Sequence, residues 1–226
     1  MPQALLLAFR QFDDPAFRAP LLKGALGAAV TLALLAYGTS AGVAWIAFGH
    51  GGWIAAIAPW LGGAAGLLLA WWLFLPIAVV IAGQFVGAVA AAVERRHYPT
   101  LPPARGATVV AQATWALRFG LRMLLAQILL LPMLFIPVVG FTIALVVSAR
   151  MLGIGVFEGA AQLRMATSEA TAARRQKNGA IWLLGLALAL IGLVPLLNLI
   201  VPVIGTAAAV HLLHYAGHTA RGKLRG

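Results

Sequence analysis

Long apolar runs alternate along the chain with short basic ones. Residues 21–48 are apolar apart from Lys23 and a few small polar positions, and residues 53–93 carry no charged side chain. As an α-helix at 1.5 Å per residue, the first run reaches about 42 Å, enough to cross a hydrocarbon core of ~30 Å with tilt. The second is too long for one simple span. It reads as an interfacial stretch to Pro59 followed by a long helix over about 59–93, bent near Pro76. Gly49-His50-Gly51-Gly52 between the two runs reads as a turn. Both runs are apolar on every face and do not alternate with period two, so they predict helices and not the strands of a membrane barrel.

The later runs are interrupted. Residues 123–147 contain Pro132, Pro137 and Gly140, and apolar sequence continues past Arg150 to Phe157. Residues 180–213 contain Pro195, Asn198, Pro202 and Gly205. Basic residues fall in the N-terminus, in loops over 94–122 and 158–179, and in the tail. If 123–147 crossed once, the second basic loop would lie on the opposite side from the first, against the tendency of Lys and Arg to collect on one face of the membrane. A chain that turns at Pro137–Gly140 avoids this. Its arm over 123–136 is about 21 Å of helix, which enters a ~30 Å core without crossing it. The arm over 180–194 has similar length. The two breaks share a local pattern, Ile136-Pro137-Val138-Val139-Gly140 and Val201-Pro202-Val203-Ile204-Gly205. Hairpins over about 123–157 and 180–214 follow; the alternative is that the prolines kink ordinary spans. The predicted fold is an all-α integral membrane protein forming one membrane domain over 1–226. It has two long transmembrane helices (about 21–48 and 59–93) and two hemi-penetrating, re-entrant helical hairpins. So few elements make a poor pore alone, which points to a homo-oligomer.

Composition narrows the function. Of 226 residues, 62% are hydrophobic and 9% charged, with mean hydropathy +0.97, whereas a soluble domain carries about 25% charged residues. The net charge of +11 reads as loops facing anionic headgroups and not as a nucleic-acid surface, and it favours an anionic permeant. There is no cysteine, hence no disulfide, thiol nucleophile or thiolate metal site. The N-terminal Met1–Pro15 lacks the basic–apolar order of a cleavable signal, so the first long run is expected to act as its own insertion signal. No carboxylate pair, nucleophile–base pair or HExxH motif lies in an apolar run, and no enzyme or cofactor is predicted. His211, His214 and His218 share a helical spacing and read as ordinary interfacial histidines, with no metal site. No nucleotide-binding loop and no mid-membrane ionisable group is present, which favours a passive, channel-like route.

The most informative local feature is Asp13-Asp14-Pro15-Ala16-Phe17-Arg18-Ala19-Pro20. Asp14 suits an N-cap and Pro15 the first helical position. The N–H groups of Ala16, Phe17 and Arg18 then lie at the positive end of the helix dipole, an anion-binding arrangement; alternatively Asp14 satisfies those donors itself. This helix start, the Phe135–Gly140 break and the run Val194-Pro195-Leu196-Leu197-Asn198-Leu199-Ile200-Val201-Pro202 before Gly205 together resemble the CysZ family of bacterial sulfate permeases. The resemblance implies the hairpin architecture, oligomers in the bacterial inner membrane, and sulfate uptake for cysteine synthesis. It implies that Ala16, Phe17, Arg18 and Ala19 stand where the family's Gly-Leu-Arg-Arg sequence holds sulfate. One arginine is kept, while the glycine and the second arginine are replaced. Gln84, Gln127 and Asn198 are candidates to solvate an oxyanion along a pathway, or to join helices through amide hydrogen bonds. A non-transporting membrane scaffold that organises partners or lipids is the other class of function.

Overall fold

A computed structural model describes residues 2–11, 13–47, 52–53, 56–58, 60–68 and 86–223. Helices α1 (Pro2–Arg10) and α2 (Pro15–Ala47) open the chain. They are followed by α3 (Ala56–Leu68), α4 (Val86–His97) and α5 (Val109–Leu130). A 3-10 turn at Leu131–Phe135 leads into α6 (Pro137–Ala161). Then come α7 (Thr167–Gln176), α8 (Asn178–Gly192), a short α9 (Pro195–Asn198) and α10 (Val201–Lys223). No strand occurs among the described residues. The chain divides into two compact units, Ala19–Gln84 and the remainder, Met1–Arg18 with Phe85–Gly226.

In the Ala19–Gln84 unit, α2 is apolar all round and its 33 residues reach about 50 Å. Glycines bring α3 against it. A Cβ at Gly62 would stand 2.7 Å from Val43 Cβ, and one at Gly66 would overlap Thr39 Oγ1 and lie 2.9 Å from Ala36 Cα. The four-residue spacing of these glycines is the small-residue pattern that lets membrane helices approach closely. Of the expected turn at 49–52, Gly52 is described, with φ +73, a conformation that glycine adopts without steric cost. The expected long helix over 59–93 is represented at its ends by α3 and α4. Its middle, with the bend at Pro76, lies outside the described residues.

The other unit is built around α10. Val201 and Val203 to Leu212 are all buried, and α1, α4, α6 and α8 pack against it. A helix with small or apolar residues on every face can be enclosed in this way. The tightest seam joins α6 and α8, which run antiparallel. A Cβ on Gly185 would overlap the Ala149 carbonyl and lie 2.6 Å from Gly153 N, and one on Gly153 would overlap the Ile181 carbonyl. Gly205 of α10 sits against Leu188 and Val156, 3.0 and 3.1 Å from its ideal Cβ.

Helices α5 and α6 form the first hairpin, and α8 and α10 are the arms of the second. The first turn lies at Leu131–Ile136 and not at the expected Pro137–Gly140. Pro137 opens α6 instead, because its missing N–H and fixed φ suit a first helical position. The residue ahead of it is extended (Ile136, φ −120, ψ 86), as the proline ring requires. Val194 before Pro195 is extended likewise (φ −93, ψ 114). In the second copy of the shared pattern Val201 opens α10, so the pattern marks the start of the returning helix in both hairpins. Gly140 is pressed against the Met133 carbonyl, where a Cβ would collide. The first arm is also longer than its apolar part alone: α5 has 22 residues, about 33 Å. By contrast α8 has 15, about 22 Å.

The outer surface is apolar. None of the residues of α5 is buried, and Leu121, Leu125, Ile128 and Leu129 project from it. Three helical stretches, Phe17–Trp45, Val109–Leu130 and Val138–Ala161, are long and apolar enough to cross a membrane. This is an all-α integral membrane protein.

The α6–α8 seam generates a stability prediction. Gly185→Ala is expected to destabilise the protein by about 1–3 kcal/mol through overpacking, lowering the Tm by several degrees in detergent. Gly159→Ala, whose Cβ meets nothing within 4 Å, is expected to leave it unchanged. Equal melting of the two variants would show that the seam tolerates separation.

Candidate anion site

The start of α2 is tied to the end of α4 by both backbone and charge. The Gln11 side-chain amide donates to the Ala92 carbonyl at 3.2 Å and is buried. The Asp14 N–H donates to the Gln11 carbonyl at 3.0 Å, and α2 opens at Pro15 as the sequence predicts. Phe17 is fully buried and anchors this corner. Its N–H donates to the Asp14 carbonyl at 2.9 Å, so one of the three amides expected to face an anion is engaged in the turn. Arg18, the next residue, is exposed, and Ala19 is half-buried; Ala16 precedes them in the same helical turn.

Two carboxylates hold the basic end of α4 here. Asp13 accepts from Arg96 Nη1 at 3.0 and 3.3 Å, and Asp14 lies 3.7 Å from Arg95 Nη2. The Arg96 hydrogen bond holds the Asp13 carboxyl below its usual range; desolvation opposes it, and the charges of Arg96 and Arg18 add to the lowering. Arg18 and Arg96 thus act on one exposed carboxylate. A tetrahedral oxyanion offers the same donors more acceptor oxygens, so it is a chemically suitable substitute for Asp13.

Behind this corner is a polar cluster that loop-by-loop reading of the sequence misses. Glu94 is paired with Arg164 through two contacts, one of them Nη2–Oε2 at 3.0 Å. It also lies 3.1 Å from His214 Nε2. Arg164 additionally donates to the Pro102 carbonyl at 2.8 Å. Beside it, Tyr98 Oη meets His211 Nδ1 at 2.9 Å, and the His97 and His211 rings stand edge to face at 4.9 Å. Of the histidines at helical spacing, His211 joins the tyrosine and His214 the carboxylate. Desolvation pushes the Glu94 carboxyl up, but the hydrogen bonds and charges of His214 and Arg164 outweigh it and hold it below its ordinary value. Glu158, near the end of α6, is buried and accepts from Trp115 Nε1 at 2.7 Å and Arg174 Nε at 2.5 Å. The signal that could have found both is numerical. With five Asp/Glu against sixteen Lys/Arg, a carboxylate near packed helices will find an arginine.

The two described pathway candidates line different cavities. Asn198 lines a cleft of about 260 Å³ with Phe141, Ser148 and Gly192. Gln127 lines a crevice of about 10 Å³, at the threshold for a single water. Ser148 of α6 lines both. Gln84 lies outside the described residues.

A family model described as sulfate transporter CysZ/etoposide-induced protein 2.4 matches residues 4–202, which include the α2 start and both hairpin turns. No curated protein and no solved structure matches the chain.

Glu94 gives a pH prediction. Its folded-state pKa is lowered, so its pairing stabilises fully above the unfolded value of about 4.3 and is lost as pH falls through the folded value. The Tm of the wild type is therefore expected to fall more steeply below about pH 4 than that of Glu94→Gln, with the variant less stable at pH 7. Parallel melting curves between pH 7 and pH 3 would contradict the assignment.

Proposed function

The chain belongs to the sulfate transporter CysZ/etoposide-induced protein 2.4 family, and from that premise we propose that it is a passive, channel-like permease for sulfate or a related oxyanion. On this reading it works as a homo-oligomer in the bacterial inner membrane and supplies sulfate for cysteine synthesis. The observation that carries the reading is the start of α2. There an exposed arginine lies in the first turn of a 33-residue apolar helix, and its charge acts on the Asp13 carboxylate that Arg96 holds. Arg18 and the amide of Ala16 recruit the anion beside Phe17 and Ala19, with Arg96 turning to it as Asp13 is displaced. A dianion so held stays close to water and exchanges readily, as conduction requires. Beyond the entrance, neutral amides at Gln84, Gln127 and Asn198 solvate it without a fixed charge that would trap it. The apolar runs carry no carboxylate to serve as a proton relay, which supports passive transport over energised transport.

The two hairpins belong to the same proposal. They enter and leave the membrane on the basic side; the support is α8, which at about 22 Å is too short to cross a ~30 Å core alone, whereas α5, at about 33 Å, is long enough to do so.

Protein reconstituted in liposomes is expected to take up radiolabelled sulfate down its gradient without ATP or a proton gradient. Arg18→Ala is expected to slow the initial rate by about tenfold or more, the scale of one lost charge-assisted hydrogen bond. No uptake above empty vesicles by folded, inserted protein would move the reading to a membrane scaffold. The chain has no cysteine, so Val138→Cys and Leu197→Cys give clean topology probes. Neither is expected to react with an impermeant thiol reagent added on the side opposite the basic loops; labelling from there would mean that the hairpins cross fully.

A further inference from the structure

Helices α5, α6 and α7 line a cavity of about 600 Å³ whose wall carries four arginines. Arg118 and Arg122 come from one face of α5 and Arg175 from α7; all three line the cavity and are exposed. None makes a hydrogen bond or ion pair with a described residue. The carboxylate in the wall is Glu158, and it is already engaged by Arg174 at 2.5 Å and by Trp115 Nε1 at 2.7 Å. The cavity is therefore left with three uncompensated guanidinium groups. Two like charges four residues apart on a helix oppose one another, and a third facing them across a cavity increases the cost. An anionic occupant would remove it.

The rest of the wall says which anion. Trp115 and Phe119 stack face to face, with centroids 5.1 Å apart and planes at 6°, and with Met151 and Ile154 they make one side apolar. The helix that presents Arg118 and Arg122 continues directly into the exposed side chains of Leu124, Leu125, Ile128 and Leu129. An anion held here thus has a hydrocarbon-compatible track beside it. A free inorganic ion has no use for that track, whereas a glycerophospholipid, with its phosphate and acyl chains in one molecule, fits both parts. Basic pockets between membrane helices are a recurrent way of holding anionic headgroups.

We propose that this cavity is a binding site for the phosphodiester headgroup of an anionic phospholipid. Arg118, Arg122 and Arg175 take the phosphate oxygens, and the acyl chains lie along α5. The site is separate from the α2 start and does not depend on what the protein transports.

The test is native mass spectrometry of the full-length protein titrated with phosphatidylglycerol, phosphatidylcholine or inorganic sulfate, beside R118Q/R122Q and R175Q. The expected result is selective retention of phosphatidylglycerol, weakened about tenfold or more in R118Q/R122Q and less in R175Q, with millimolar sulfate unable to displace it. Equal retention of the two lipids, or unchanged phosphatidylglycerol binding in the variants, would overturn the proposal. So would displacement by sulfate with the same arginine dependence, which would mark a free-oxyanion site instead. Should R118Q/R122Q melt well below the wild type, R175Q alone decides, because its side chain is exposed and supports no packing.

Discussion

The fold depends on a backbone-to-backbone approach between α6 and α8. Lipid is as apolar as leucine, so burial of aliphatic side chains does little to hold membrane helices together; close packing of small residues does much more. Ala149, Gly153 and Gly185 let two helix backbones meet where any larger side chain would collide with a carbonyl. This pair then presents a wall against which α10 is seated, with Gly205 fitted between Leu188 and Val156. With α10 enclosed, α1 and α4 gain a surface to pack on. The corner bearing Asp13, Asp14, Arg95 and Arg96 is fixed by that second layer. The position of the exposed Arg18 is thus set, through three layers of packing, by glycines remote from it.

Charge is distributed under a second constraint. All five carboxylates have partners: Asp13 with Arg96, Asp14 with Arg95, Glu94 with Arg164, Glu158 with Arg174, and Glu169 with the Ala166 N–H at the start of α7, at 2.9 Å. Against sixteen lysines and arginines this leaves a surplus of cations, and where they gather is informative. Glu94 and Glu158 each neutralise an arginine in a part-buried setting, where an unpaired charge would be expensive. Arg18 beside Asp13 and the three arginines of the α5–α7 cavity lie at exposed positions.

How much of this could be read from sequence depended on whether the controlling interaction was local. The start of α2 at Pro15 was legible, because Asp14 and Pro15 carry their own conformational preference. The shared Ile136–Gly140 and Val201–Gly205 pattern was legible as a repeated break. Its placement was not, because a proline can end one helix or begin the next, and the pattern alone does not say which. The structure resolves this in favour of helix starts in both hairpins. The hub at Glu94 was hidden because its partners, Arg164 and His214, lie 70 and 120 positions away, and Trp115 was hidden from Glu158 in the same way. Periodicity reports which face of a helix is apolar; it carries no information about which polar side chain will meet it across the packed unit.

The hairpin turns show how backbone polarity can be managed where water is scarce. A helix start leaves its first N–H groups without acceptors, and in hydrocarbon each such donor costs several kcal/mol. At the first turn Pro132 and Pro137 stand at or beside helix starts, and at the second Pro195 and Pro202 do so; each removes a donor that would have been orphaned. The remaining amides close locally. Ile136 N–H reaches the Met133 carbonyl at 3.0 Å and Gly140 N–H the Ile136 carbonyl at 2.6 Å. Val194, Asn198 and Ile200 make the corresponding bonds at 3.2, 2.9 and 3.1 Å. Around these satisfied backbones the exposed side chains include Phe135, Val138, Val139 and Leu197. A turn destined for water would carry Asn, Asp, Ser or Gly to bond with solvent. These turns carry prolines and exposed apolar residues, with Gly140 and Asn198 the exceptions, a composition compatible with an apolar surrounding.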